Sequence, residues 1–205
     1  MIKVAIIDDH AVVRMGIKYT LELEGDMEFA GECASGEEAA AFVAAMKPDV
    51  TLLDVRMPGK DGIAALRDIL AAVPDAKVMM LSTSDGDDDI YQSLRTGAKG
   101  YILKDKGWDD IARGIRTIAA GGMFVPDDIR ALYAMREQTP DPSPREREVM
   151  QYLVEGCTNE EIAQKMGISR DGVKMHMRHI LDKLDARDRT EVVAQALLRG
   201  FVKPR

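Results

Sequence analysis

The chain has 205 residues, 46% apolar and 31% charged, which is enough for one or two domains with genuine cores. No run of 18 apolar residues occurs, so no membrane span is expected, and Asp8-Asp9-His10 breaks the N-terminus where a signal peptide would stay apolar. Net charge is -7 but uneven: residues 1–125 carry 14 Lys+Arg against 21 Asp+Glu, while residues 141–205 carry 12 against 11. The asymmetry points to an acidic unit followed by a near-neutral one. Cys33 and Cys157 are too far apart in sequence for a metal spacing or a disulfide framework. They fit a reducing compartment, hence a cytoplasmic protein, and are expected in cores.

In chain order, apolar runs alternate with amphipathic segments. Strands are expected at 3–7, 27–33, 49–53, 77–82 and 99–103. Helical spacing follows at Ala39, Phe42, Val43 and Met46, at Leu66, Ile69, Leu70 and Val73, and at Ile111, Ile115 and Ile118. Pro48, Pro74 and the Gly97/Gly100 pair punctuate these segments. Near-continuous apolar strands alternating with helices imply a parallel sheet covered on both faces. Five such units fit a flavodoxin-like, doubly wound α/β fold of five parallel strands, which binds ligands at the carboxyl ends of its strands.

Polar residues fall just past the strands. Asp8 and Asp9 follow the first, Asp54 the third, Ser82 the fourth and Lys104 the fifth. Alone, such an Asp would serve as a helix N-cap, Ser82 as a turn residue and Lys104 as a solvated charge. Together they place three carboxylates, a hydroxyl and an ammonium in one cleft. Clustered carboxylates repel one another unless a cation neutralises them, and hard oxygen donors select Mg²⁺. A carboxylate is also a competent nucleophile toward phosphorus, and Lys104 and Ser82 can hold phosphoryl oxygens.

Residues 1–120 resemble the receiver domain of bacterial two-component response regulators. The resemblance rests on Asp8-Asp9-His10, on Leu53-Asp54-Val55-Arg56-Met57-Pro58-Gly59, on Leu81-Ser82 and on Gly100-Tyr101-Ile102-Leu103-Lys104-Asp105. It implies that Asp54 accepts a phosphoryl group from a sensor histidine kinase. It also implies that Asp8, Asp9, Asp54 and the backbone carbonyl of Arg56 hold Mg²⁺. Ser82 and Lys104 would sense the phosphoryl oxygens, and Tyr101 would be the switching aromatic. Asp105 stands where many receivers have proline, and this Lys-Asp form resembles the NarL/FixJ branch.

Residues 123–142 read as a linker, entered through Gly121-Gly122 and left through a proline-rich stretch. A short helix is expected at 126–137. Residues 1–122 precede it as one domain, and residues 143–205 follow as a second, all-α domain of four helices. Ser143 is expected to cap the first of these, with Glu146 as capping-box partner, and Thr158 the second, with Glu161. Ser169 is expected to cap a third helix running to about Leu184, and a fourth covers Thr190–Arg199. A helix, a short turn with Gly167 and a longer helix form a helix-turn-helix. On the third helix Val173, Met177, Ile180 and Leu184 make a core stripe, while Lys174, Met175 and Arg178 share the other face in the half that enters a major groove. Lys and Arg there donate to guanine edges, and Met175 can touch a thymine methyl.

This segment resembles the LuxR/NarL-type DNA-binding domain. The matching residues run from Ser143 to Val149, then Gly156, Thr158-Asn159, Glu161-Ile162-Ala163, Ile168-Ser169, Val173-Lys174, His176, Lys183-Leu184 and Arg187 to Thr190. The resemblance implies double-stranded DNA as partner, with Lys174, Met175 and Arg178 facing bases and Arg187 and Thr190 near phosphates. Gly172 stands where the family has threonine, at a cost of about 1 kcal/mol to the helix. A near-neutral domain binds DNA modestly, so a homodimer formed on phosphorylation is expected. The resulting expectation is a phosphorylation-dependent transcriptional regulator rather than a dedicated enzyme. Two rivals remain: an aspartyl-phosphate phosphohydrolase, and a receiver-fold regulator controlled by protein or ligand contacts.

Overall fold

The computed structural model describes residues 1–83 and 85–202. Residues 203–205, the end of the expected C-terminal domain, lie outside it. The chain forms two compact units: residues 1–85 with 90–131, and residues 86–89 with 132–205.

In the first unit β1 (Ile2–Ile7), β2 (Met27–Cys33), β3 (Val50–Asp54), β4 (Val78–Ser82) and β5 (Gly100–Leu103) form one parallel sheet of order β2-β1-β3-β4-β5. The intervening helices are α1 (Ala11–Leu23), α2 (Ala39–Met46), α3 (Gly62–Ala72) and α4 (Asp87–Thr96), and α5 (Trp108–Ala119) follows β5. Val4, Ile6, Val50, Leu52, Met79, Leu81 and Ile102 pack with Ile17 and Leu21 of α1 and with Ile111, Ile115 and Ile118 of α5. The alternate strand residues Ala5, Ile7, Leu53, Val78 and Met80 are just as buried, which is why the strands read as unbroken apolar runs. Each such aliphatic side chain contributes about 1.5–3 kcal/mol on burial.

The two outer strands end the sheet differently. Beyond β5, Gly100 bridges to Phe124, with Tyr101 N donating to Phe124 O and Phe124 N to Lys99 O. Phe124 also joins the core, so sheet pairing runs past Gly122. On the other side the β1–β2 register slips between Val4/Ala5: Val4 faces Phe29 and Ala5 faces Gly31, leaving Ala30 as the extra residue of a bulge.

The sheet order makes β1 the reversal point. The chain goes from β1 outward to β2, then returns to β3 on the other side. The carboxyl ends of β1 and β3 therefore flank the crevice where doubly wound folds take ligands.

In the second unit, α7 (Pro144–Val154), α8 (Asn159–Met166), α9 (Arg170–Leu184) and α10 (Arg189–Leu198) enclose their own core. It is built from Val149, Met150, Leu153, Ile162, Val173, Ile180, Leu184, Val192, Ala196, Phe201 and Val202. The capping residues act as expected. Ser143 and Thr158 each form a full capping box with Glu146 and Glu161, and Ser169 accepts from Gly172 N. The last helix starts one residue earlier than expected, because Asp188 supplies its cap by accepting from Glu191 N. The expected short helix is α6 (Asp127–Glu137). Its Arg136 is fully buried, pairs with Asp141, and lies 5.1 Å from the centroid of the Phe201 ring. Arg147 and Arg199 approach the same ring at 5.3 and 4.8 Å. Both cysteines are free and buried.

Candidate functional site

Asp54 is the last residue of β3 and Asp8 follows β1 directly, so neighbouring strands deliver both carboxylates to one crevice. Both are almost fully buried, as is Ser82 at the end of β4. Lys104 lies just past β5, its amide donating to Ser82 O at 2.7 Å. Its Nζ sits 2.7 Å from Asp8 Oδ2 and 3.0 Å from Asp54 Oδ1. Asp8, Asp9, Asp54 and Lys104 thus form one cluster, as the strand-end argument expected. Tyr101, in the middle of the neighbouring β5, has its side chain wholly buried.

Burial is the main influence on Asp54 and pushes its pKa above the usual carboxylate value; Lys104 opposes this, Asp8 adds to it, and a hydrogen bond from the Arg56 backbone lowers it. Asp8 Oδ2 and Asp9 Oδ1 are buried without a well-aligned hydrogen bond, and the nitrogens that approach them belong to Lys104 and His10. Clustered hard oxygen donors of this kind suit a divalent cation such as Mg²⁺. Asp8, Asp9, His10 and Asp54 bring one donor atom each within 4.8 Å of one another.

Three contributors to this cleft were not foreseen from sequence. His10, known there only as part of the Asp8-Asp9-His10 motif, turns its Nδ1 to 3.1 Å from Asp8 Oδ1 and 3.0 Å from Asp9 Oδ1. Arg14 donates to Asp8 O at 2.7 Å and braces the β1–α1 turn. Gly62, capped by Asp61, packs its backbone so tightly that a Cβ there would lie 1.9 Å from the Asp54 carbonyl oxygen. The signal for Gly62 is the Asp-Gly pair at the start of a helix that follows the acidic strand end.

In the second unit, α9 buries Val173, Ile180 and Leu184, while Met177 is only partly buried. Lys174, Met175 and Arg178 are exposed on the other side. Lys174 pairs with Asp171 at 2.9 Å, a contact open to solvent. Thr190 is exposed, and Arg187 is engaged at 3.0 Å by Glu191. Sequence reasoning passed over Arg189, which donates to Asn159 Oδ1 and Cys157 O and so ties the start of α10 to the α7–α8 turn. Asn159, Lys174, Met177, Arg178, Leu181 and Arg189 line a groove of about 380 Å³. A Cβ at Gly172 would meet nothing closer than 3.4 Å, so no close approach demands glycine there.

The response regulator receiver domain family matches residues 4–116, and the luxR family of bacterial regulatory proteins matches residues 143–196. The chain belongs to the NarL/LuxR family of response regulators. It is a DNA-binding transcription regulator of a two-component system, with a receiver and a LuxR-type DNA-binding domain. Among relatives of this regulator, the uncharacterized transcriptional regulatory protein YxjL of Bacillus subtilis is 36% identical over 98% of each chain. VraR of Staphylococcus aureus is 36% identical over 98% of this chain and 99% of its own. Among solved structures, the response regulator ChrA of a heme-sensing two-component system is 32% identical over 98% of both chains, with a TM-score of 0.58. RcsB of Salmonella enterica serovar Typhimurium, bound to a promoter with a phosphomimetic, shares the fold at a TM-score of 0.72 and 23% identity, over 95% of this chain and 97% of its own. Among the described residues, no helix is long and apolar enough to cross a membrane.

Proposed function

We propose that this regulator is switched by phosphorylation of Asp54, with a sensor histidine kinase as donor. The observation that carries the reading is the buried Asp54 carboxylate held beside Asp8 and against the Lys104 ammonium. One Asp54 oxygen attacks phosphorus; a phosphorus–oxygen bond forms, and the donor's phosphorus–nitrogen bond breaks with its electron pair going to the histidine nitrogen. Lys104 then donates to a phosphoryl oxygen, and the Ser82 hydroxyl to another. Asp8, Asp9, Asp54 and the Arg56 carbonyl would hold Mg²⁺, which supplies charge neutralisation around the phosphoryl group. Tyr101 is the aromatic whose rotamer answers the change.

Residues 1–122 act as the receiver, 123–142 as the linker and 143–205 as the DNA reader. Lys174, Met175 and Arg178 read base edges, and Arg187 and Thr190 lie at phosphates. The phosphorylated chain works as a homodimer on double-stranded DNA in the cytoplasm, spanning half-sites about one helical turn apart.

The test is incubation with a small phosphodonor and Mg²⁺, followed by intact mass measurement. One phosphoryl group is expected on the wild type and none on Asp54→Asn or with chelator present. Equal modification of Asp54→Asn would remove the assignment. An unmodified wild type would favour control by protein or ligand contacts.

A further inference from the structure

We infer that His10 is a cation ligand of the acidic cleft and tilts its selectivity from Mg²⁺ toward later first-row ions such as Co²⁺ and Zn²⁺. The inference rests on the reading of the cleft as a divalent-cation site.

His10 is the N-cap residue of α1, yet its side chain makes no capping hydrogen bond. Its imidazole turns instead into the cluster, with Nδ1 3.0 Å from Asp9 Oδ1, 3.1 Å from Asp8 Oδ1 and 4.0 Å from Asp54 Oδ2. His10 N also donates to Asp8 Oδ1 at 2.8 Å, which holds the residue's backbone against the same carboxylate. Four donor atoms within 4.8 Å of one another need only small movements to close on one ion. With bonds of about 2.0–2.2 Å, opposite donors around such an ion stand about 4 Å apart. Asp9 Oδ1, the carboxylate oxygen nearest the imidazole, is buried without a well-aligned hydrogen bond.

The donor set determines the selectivity. Carboxylates and carbonyls suit Mg²⁺, whereas an imidazole nitrogen adds little for Mg²⁺ and much for cobalt or zinc. His10 supplies the imidazole of this donor group. The side chain is 60% exposed, placed at the mouth where an arriving ion meets it first.

The experiment is calorimetric titration of the full chain with Mg²⁺ and with Co²⁺, in wild type, His10→Asn and His10→Ala. Both variants are expected to lose about 10–100-fold in Co²⁺ affinity, the loss seen even when only a partner of a metal ligand is removed. Their Mg²⁺ affinity should change little. An unchanged Co²⁺-to-Mg²⁺ ratio overturns the inference and leaves the cation site itself intact. No binding of either ion to the wild type overturns both readings. A nitrogen-detected titration of the wild type with Zn²⁺ needs no variant: the His10 Nδ1 resonance should take a coordination shift, and a saturated site with that resonance unmoved defeats the proposal.

Discussion

At the scale of single residues, Asp54 is where the structure is least at ease. Its carboxylate is buried beside a second buried carboxylate, and Lys104 is shared between them. Binding a divalent ion should relieve that repulsion, since any ligand that binds only the folded state stabilises it by mass action. Thermal melting should therefore show wild type stabilised by Mg²⁺, by about 2.7 kcal/mol at a hundredfold excess over the dissociation constant. Asp54→Asn should gain clearly less from Mg²⁺ and melt above the wild type without it. An equal Mg²⁺ increment in both proteins would show that Asp54 is no ligand. The acidic members of this site were legible because each follows an apolar strand, and strand ends of a parallel sheet share one edge. His10 and Gly62 were not legible as participants. One acts through a turn that folds back on its neighbours, the other through the absence of a side chain near a backbone oxygen, and neither feature has a period.

At the scale of elements, the caps were the most readable part of the chain. Ser143 and Glu146, or Thr158 and Glu161, sit three residues apart because a helix start needs donors satisfied at that interval. By contrast α4 was not singled out. Its first turn is Asp87-Asp88-Asp89, and too few apolar side chains follow for a stripe to stand out. Glu146 does more than cap. Its carboxylate accepts from Ser143 N and Lys183 Nζ, both at 2.7 Å, binding α7 to α9. Burial pushes its pKa up, but the Lys183 and Ser143 hydrogen bonds outweigh burial and hold it below the ordinary 4.5. An acid lowered on folding stabilises the fold above its unfolded value, and that contribution is lost as pH falls through the folded one. Glu146→Gln should thus cost about 1–3 kcal/mol near neutral pH. The difference from wild type should shrink as pH drops below 4.5. Denaturant melts of both proteins across that range check it, and a pH-independent difference would mean that the charge is not the cause.

At the scale of the molecule, charge and cores divide in the same sense. The acidic first part surrounds one core and the near-neutral last part another, so each unit can be asked about separately. On the proposed reading, Asp54 acts on DNA binding only through a change in contact or association between states. Titrations of one operator at fixed salt should rank the phosphorylated full chain above the unphosphorylated one. The fragment 140–205 should bind without any phosphodonor. Equal affinity for all three would remove the switch and leave a constitutive DNA reader.

The bulged outer strand has a consequence for life in a crowded solution. β2 leaves one side of its backbone without a partner strand in the sheet, and a flat, apolar strand in that position would template stacking into fibrils. Ala30 kinks this strand out of register, which breaks the flat run of backbone that a second copy would need. On the proposed reading, in which copies meet only once phosphorylated, such an edge works against meeting through the sheets, and the safeguard lies in a strand that carries none of the proposed site residues.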